Sequence, residues 1–221
     1  MPSVPTEPMS APDATKGVAS CWMRRVGSTQ EDGSSCATRA QERAAEASSV
    51  LGYDSAALCF DGPAERLNLT EHTQPALLVS SIAALKTLDS AGLKPVAVAG
   101  HSLGEYSALV AAGALSFSDC LPLVRLRAQA MQEAVPEGTG AMAALLGLED
   151  EQVIEACSEA AQGEVVEAVN FNAPLQVVIA GHLNPVKRAM EIAKAKGAKR
   201  AILLPVSAPF HSSLMGPAAF R

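Results

Sequence analysis

The chain has 221 residues, 48% of them apolar and 18% charged, with a formal net charge of −6. That length and apolar share are enough to bury a real core, and they exclude a disordered tail protein or a coiled coil. The acidic balance and the 4% aromatic content exclude a protein built to grip phosphate backbone or stack on bases.

The five cysteines are odd in number and widely spaced, with no CxxC, which suits small apolar residues in a reducing cytoplasm. The four histidines are scattered without HxxxH spacing, so no metal site is expected. No apolar run approaches a membrane span, and the first residues lack the basic-then-apolar pattern of a signal peptide.

Pro2, Pro5, Pro8 and Pro12 lie in a small-residue stretch, and residues 1–48 read as an atypical, disordered leader. A short helix is plausible from Ala37 to Val50. A second helix is expected from Gln74 to Ala91, opened by Gln74-Pro75, with Leu77, Leu78, Ser81, Ile82, Leu85 and Leu88 as its buried stripe. Pro95-Val-Ala-Val-Ala-Gly100 has the fully apolar composition of a buried parallel strand. His101-Ser-Leu-Gly-Glu-Tyr106 follows at once and leads into an Ala/Leu-rich helix ending near Gly113. Residues 117–135 read as a further helix, with Ser118 as N-cap and Asp119 in the first turn.

Residues 136–206 read as a separate unit. Strands are expected at Ala141–Leu146, Val165–Asn170, Gln176–Ala180 and Lys199–Val206. Helices are expected at Glu149–Ala161, burying Val153, Ile154, Cys157 and Ala161, and from Asn184-Pro185 to Gly197. The order β-α-β-β-α-β is a ferredoxin-like pattern. The fold class expected is α/β: a hydrolase-like parallel-sheet core over 49–135 and 207–221, incomplete, with the ferredoxin-like subdomain 136–206 inserted.

Gly100-His-Ser-Leu-Gly104 matches G-x-S-x-G between a strand and a helix. On such a turn Ser102 presents its hydroxyl as a nucleophile, and the amide of Leu103 can donate to a developing oxyanion. A serine needs a base, and His211 in Pro205-Val-Ser-Ala-Pro-Phe-His211 is the candidate, with His72 and His182 as rivals. On the helical wheel Arg127 falls at the centre of an apolar face made by Leu123, Val124, Ala130, Met131 and Ala134, while Arg125 faces solvent. A guanidinium there needs a partner, either an internal carboxylate or the carboxylate of a substrate. Lys187, Arg188, Lys194, Lys196, Lys199 and Arg200, with Glu191 among them, form a mostly basic surface. It is either a solvated helix face or a landing patch for an acidic carrier protein.

These motifs occur in one order: the Gly100–Tyr106 elbow, Arg127 with Met131-Gln-Glu-Ala-Val-Pro-Glu-Gly-Thr-Gly-Ala-Met142, Asn170-Phe-Asn172 with Gln176–Gly181, and the Pro205–His211 segment. In this the chain resembles, over residues 44–221, the malonyl-CoA:acyl carrier protein transacylase family of bacterial type II fatty acid synthesis. The resemblance implies malonyl transfer from malonyl-CoA to the phosphopantetheine thiol of acyl carrier protein through a malonyl-serine. It implies Ser102 as nucleophile, His211 as base, Arg127 as clamp on the malonyl carboxylate and Leu103 as half the oxyanion hole. Phe210 looks like the malonyl-selecting form, and Gln74 and Met131 match positions near the acyl pocket. No cofactor is expected, malonyl-CoA being the substrate, and the chain is expected to be a cytoplasmic monomer that engages neither nucleic acid nor membrane. A serine esterase or thioesterase on the same elbow, and an inactive fragment of the transferase, are the alternatives.

Two departures from the family pattern stand out. The opening strand and Gly-Gln-Gly-x-Gln loop are not found, which suggests a frameshift or wrong start in the gene model. The family's C-terminal portion, including the group that orients the histidine, does not follow Arg221. Apolar surface would then lie uncovered. The isolated chain is expected to be marginally stable and poorly active, and a cooperative melt together with full transferase turnover would contradict this.

Overall fold

The computed structural model describes residues 36–221 apart from 91, 137 and 207. Two compact units divide them. One holds the described residues up to Leu67 together with Pro75–Pro122, and the other holds Asn68–Gln74 and Leu123–Arg221.

The first unit is helical. It contains α1 (Cys36–Leu51), α2 (Ser55–Asp61), α3 (Ala64–Leu67), most of α4 (Thr70–Ser90), α5 (Gly104–Ala111) and the start of α6 (Phe117–Ala134). Residues 1–35 of the expected leader lie outside the described residues, and 36–48 belong to α1. Side-chain capping sets the helix ends. Asp54 accepts from the Ala57 N–H at 2.9 Å and starts α2, while the buried Ser55 hydroxyl donates to the Ala44 carbonyl of α1 at 3.1 Å. Arg43 of α1 lies 5.8 Å over the Phe117 ring.

The helix expected from Gln74 begins a turn earlier, at Thr70, so Pro75 lies inside it. Its buried stripe is Leu78, Val79, Ile82 and Ala83, whereas Leu77, Ser81 and Leu88, expected inside, are exposed. The reading of α6 changes in the same way. Ser116, not Ser118, caps it: the Asp119 N–H donates to Ser116 Oγ at 3.1 Å and the Ser116 hydroxyl to Asp119 Oδ2 at 2.6 Å. Leu121, Val124, Ala128 and Met131 make its buried line, at alternating three- and four-residue steps that Val135 continues just past its end, and Leu123 is exposed.

Pro95–Gly100 is not a strand. It is exposed along its length and forms no ladder among the described residues, where every strand pair is antiparallel. Apolar composition suits a strand interior, but a strand exists only through hydrogen bonds to a neighbour. The segment forms one wall of a cavity of about 540 Å³, whose other walls are Ser81, Ile82 and Leu85 of α4 and Ser107, Ala108 and Ala111 of α5.

The second unit is built on β1 (Gly140–Leu146), α7 (Asp150–Ala161), β2 (Val166–Ala173), β3 (Gln176–His182), α8 (Leu183–Ala195) and β4 (Arg200–Leu203). A 3₁₀ turn (Ser213–Met215) and α9 (Gly216–Ala219) follow. The sheet runs β2-β3-β1-β4, antiparallel throughout, with Ala143 opposite both Ile179 and Leu203. β4 ends at Leu203, short of the expected Val206, and β2 runs on to Ala173.

Period-two alternation gives the sheet two apolar faces. Ala141, Ala143, Leu145, Val177 and Ile179 pack against Val153, Cys157 and Ala160 of α7 and Val186, Ala189 and Ala193 of α8. Ala160 completes the α7 stripe, and Ile154, expected on it, is exposed. The other face carries Met142, Val178 and Ala180, with Leu204 and Phe210 packed on it. Gly181 permits a close approach to the start of β2, because a Cβ there would lie 2.1 Å from the Val165 carbonyl oxygen.

Burial pushes the Cys59 thiol up to about 11 and the Cys157 thiol, with help from the Glu167 carboxylate, up to about 12. A thiol whose folded value lies above its unfolded 9.0 favours folding below pH 9, and that contribution is lost as pH rises toward the folded value. Stability measured by denaturant unfolding should therefore fall between pH 9 and about 11. At pH 8, peptide mapping should find Cys59 and Cys157 alkylated by iodoacetamide on the order of a hundredfold more slowly than in the unfolded chain.

Candidate active site

Ser102 and Leu103 belong to the first unit. Gln74, Arg127, Met131 and His211 belong to the second.

The elbow is a tight turn leading into α5. The Gly104 N–H donates to the His101 carbonyl at 2.8 Å and the Glu105 N–H to the Ser102 carbonyl at 3.2 Å. Ser102 carries a φ of 53°, in the left-handed region that non-glycine residues seldom adopt, which is the backbone of a nucleophile elbow. Holding it there costs on the order of 1–2 kcal/mol, which the surrounding turn must offset. The two motif glycines are not equivalent. A Cβ on Gly100 would lie 1.9 Å from the Gly104 carbonyl carbon, whereas one on Gly104 would meet nothing within 4 Å. Leu103, 8% exposed, immediately precedes the first helical residue. Its N–H thus belongs to the helix start, where the dipole favours negative charge.

In the second unit two helices bring three of the expected residues together. Gln74 lies on the first turn and a half of α4, and Arg127 and Met131 lie one turn apart on α6. Arg127 Nη1 donates to Gln74 Oε1 at 2.5 Å. Gln74 Nε2 donates to Met131 Sδ at 3.7 Å and to Thr70 Oγ1 at 3.2 Å. The partner this gives Arg127 is a neutral amide. The helical period places Arg127 on an apolar face, where a carboxylate is the partner expected; the structure leaves it half-buried against Gln74. The only signal in the sequence for Thr70 is its four-residue spacing from Gln74.

His211 sits on the loop after β4, exposed, with a φ of 65°. It takes the third position of a turn closed by the Ser212 N–H on the Pro209 carbonyl at 3.3 Å, where positive φ is characteristic of type II geometry. Three contacts fix this loop. The Pro209 ring packs on Gly140, where a Cβ would lie 2.4 Å from Pro209 Cδ. The Phe210 ring packs both with Met131, Val135, Ala208 and Met215 and on the second sheet face. The Ser213 N–H donates to Glu167 Oε2 at 2.7 Å. The rival His182 is committed locally, its Nδ1 accepting from the Val165 N–H at 3.0 Å. His72, the other rival, is buried on α4 with Nε2 3.5 Å from Glu71.

The basic surface resolves into two classes. Arg188 pairs with Glu164, Lys194 with Glu191, and Lys196 with Glu155 and Glu159. Lys187, Lys199 and Arg200 are exposed and enter no ion pair among the described residues. Among the described residues no three His, Cys, Asp or Glu side chains are grouped to hold a metal ion, and no helix is long and apolar enough to cross a membrane.

Residues 32–220 match the model of the acyl transferase domain family. The malonyl CoA-acyl carrier protein transacylase of Escherichia coli K12 is 59% identical over 180 residues, 81% of this chain and 58% of the relative. The acyl-carrier-protein S-malonyltransferase of Burkholderia pseudomallei superposes with a TM-score of 0.79 at 59% identity, over 83% of this chain and 60% of that one. A malonyl-transacylase solved in complex with a type II PKS acyl-carrier protein superposes with a TM-score of 0.80 at 54% identity, over 83% and 60% of the two chains. The chain thus spans about three-fifths of the length of the relatives it matches.

The unequal glycines give a direct test. Gly100→Ala should lower stability by about 1–3 kcal/mol or more, the scale of overpacking, while Gly104→Ala should stay within about 0.5 kcal/mol of the parent. Urea unfolding of the two variants measures the difference.

Proposed function

The chain belongs to the acyl transferase domain family, and we propose that it transfers the malonyl group from malonyl-CoA to the phosphopantetheine thiol of acyl carrier protein, a step of fatty acid biosynthesis. The observation that carries this reading is Ser102 held at a φ of 53° on the turn into α5, in a chain 59% identical over 180 residues to a malonyl transacylase.

The cycle is ping-pong. Ser102 Oγ attacks the thioester carbonyl as His211 takes its proton, and the Leu103 N–H donates to the oxyanion. The tetrahedral intermediate collapses to the malonyl-serine ester, and the CoA thiolate leaves with the proton from His211. The carrier's thiol then gives its proton to His211 and attacks the ester carbonyl; the Ser102 ester bond breaks, His211 returns the proton to Ser102 Oγ, and the malonyl thioester of the carrier leaves. Arg127 binds the free malonyl carboxylate, and its bond to Gln74 supports that role by orienting the guanidinium. Met131 lines the acyl pocket beside Gln74, and Phe210 selects for malonyl. The chemistry is supplied by side chains and one amide, so no cofactor is required.

The carrier docks on Lys187, Lys199 and Arg200, exposed cations that can meet an acidic partner. The protein works as a monomer in the cytoplasm, away from membrane and nucleic acid. The β-α-β-β-α-β order and the strand sequence β2-β3-β1-β4 support a ferredoxin-like subdomain over 136–206. An apolar segment, the Ser102 turn and then a helix support a hydrolase-like elbow within residues 95–111.

Intact-mass and peptide mapping after mixing the chain with malonyl-CoA should find a malonyl adduct on Ser102, absent from Ser102→Ala. Arg127→Ala should lose malonyl acylation by about 10²-fold, a loss on the scale of 2–3 kcal/mol, with far less effect on acetyl-CoA. Equal use of both thioesters by the parent chain would favour an esterase-like enzyme instead.

A further inference from the structure

We propose that Thr70 is a positioning residue for malonyl selection, acting through Gln74 on Arg127. This rests on the reading of Arg127 as the carboxylate clamp. The geometry is two facing pairs of residues, each four apart on its own helix: Thr70 and Gln74 on α4, Arg127 and Met131 on α6. Gln74 is the junction. Its carbonyl oxygen accepts from Arg127 at 2.5 Å, and its amide nitrogen donates to Thr70 Oγ1 at 3.2 Å and to Met131 Sδ at 3.7 Å.

Donor and acceptor inventories allow only one orientation of that amide. A guanidinium has donors and no acceptor, so it needs the Gln74 oxygen. A thioether has only a weak acceptor, so it needs the Gln74 nitrogen. Rotating the amide would set donor against donor at Arg127 and oxygen against sulfur at Met131. Sulfur is a poor acceptor, so the Thr70 hydroxyl is the stronger of the two groups holding the amide. Thr70 and Gln74 are 5% and 6% exposed, so water competes little for either side chain. With the amide locked, the acceptor for Nη1 is fixed in space, which anchors one arm of the guanidinium fork. A bidentate carboxylate contact depends on how that fork is aimed.

The first turn of α4, ahead of Pro75, thus has a function. It places Thr70 one turn before Gln74, on the same face. A helix starting at Gln74 would leave the amide without this partner.

Thr70→Val removes the acceptor at nearly constant volume, and Thr70→Ser keeps it. In the full chain, Ser102 acylation rates are measured with malonyl-CoA and acetyl-CoA, alongside melting temperature. Thr70→Val should lower the malonyl-to-acetyl ratio roughly tenfold, the scale expected of a misaimed binding group. Thr70→Ser should stay within about twofold of the parent. In a Gln74→Leu background Thr70→Val should change the ratio no further. An unchanged ratio in Thr70→Val, or equal loss of both rates with a lower melting temperature, overturns the proposal by leaving Thr70 at most a structural role. If Arg127→Ala also leaves the ratio unchanged, or the parent forms no malonyl adduct, the clamp reading itself fails and this proposal falls with it. A collapsed ratio in Arg127→Ala beside an unchanged one in Thr70→Val rejects Thr70 alone.

Discussion

The elbow depends on a backbone approach that no side chain can enter. At Gly100 the chain passes so close to Gly104 and Glu105 that a Cβ would lie about 1.9 Å from the carbonyl carbon of Gly104 and 2.2 Å from the nitrogen of Glu105. This crossing lets the chain reverse within a few residues and enter α5. It also holds Ser102 in left-handed backbone, a conformation that is costly in isolation and maintained by the turn around it. The position of the serine hydroxyl and the placing of Leu103 at the helix start both follow.

The second unit solves a different problem, which is to hold a loop histidine on a rigid support. His211 itself is exposed, but its neighbours are anchored. Pro209 lies on Gly140 at the start of β1, Phe210 packs in two apolar clusters, and Ser213 is tied to Glu167 of β2. Met131 belongs to one of the clusters that hold Phe210 and also accepts from Gln74. The Gln74–Arg127 pair and the histidine loop therefore share Met131 as a neighbour. The sheet supplies the rigidity, with one face filled by α7 and α8 and the other by Phe210 and Leu204.

Several expectations failed for one reason. Leu77 and Leu88 on α4, Leu123 on α6, Ile154 on α7 and the whole of Pro95–Gly100 are apolar, yet exposed. A helical wheel ranks faces by composition, but burial requires a second element to lie against the face. For α7 the deciding element is the sheet, which meets Val153, Cys157 and Ala160 and leaves Ile154 outside. For Pro95–Gly100 no strand lies alongside among the described residues, so the apolar pattern produces no ladder.

The sequence alone determined what local chemistry controls. The G-x-S-x-G turn and the helix start set by the Asp54 side chain are encoded within a few residues. The same is true of the glycine at 100. Ser102 stands out because its motif is contiguous, and Arg127 because helical period places it on an apolar face, whereas His211 is one candidate base beside His72 and His182 until the family resemblance singles it out. Tertiary structure alone decided which neutral group would meet Arg127, since Gln74 lies 53 positions away. It also decided that α4 begins at Thr70, so that a hydroxyl backs that glutamine, and which cations of the basic surface are already paired. Contacts of that kind depend on how helices and strands pack, and packing is set by the summed fit of distant faces. No short window of sequence contains that information.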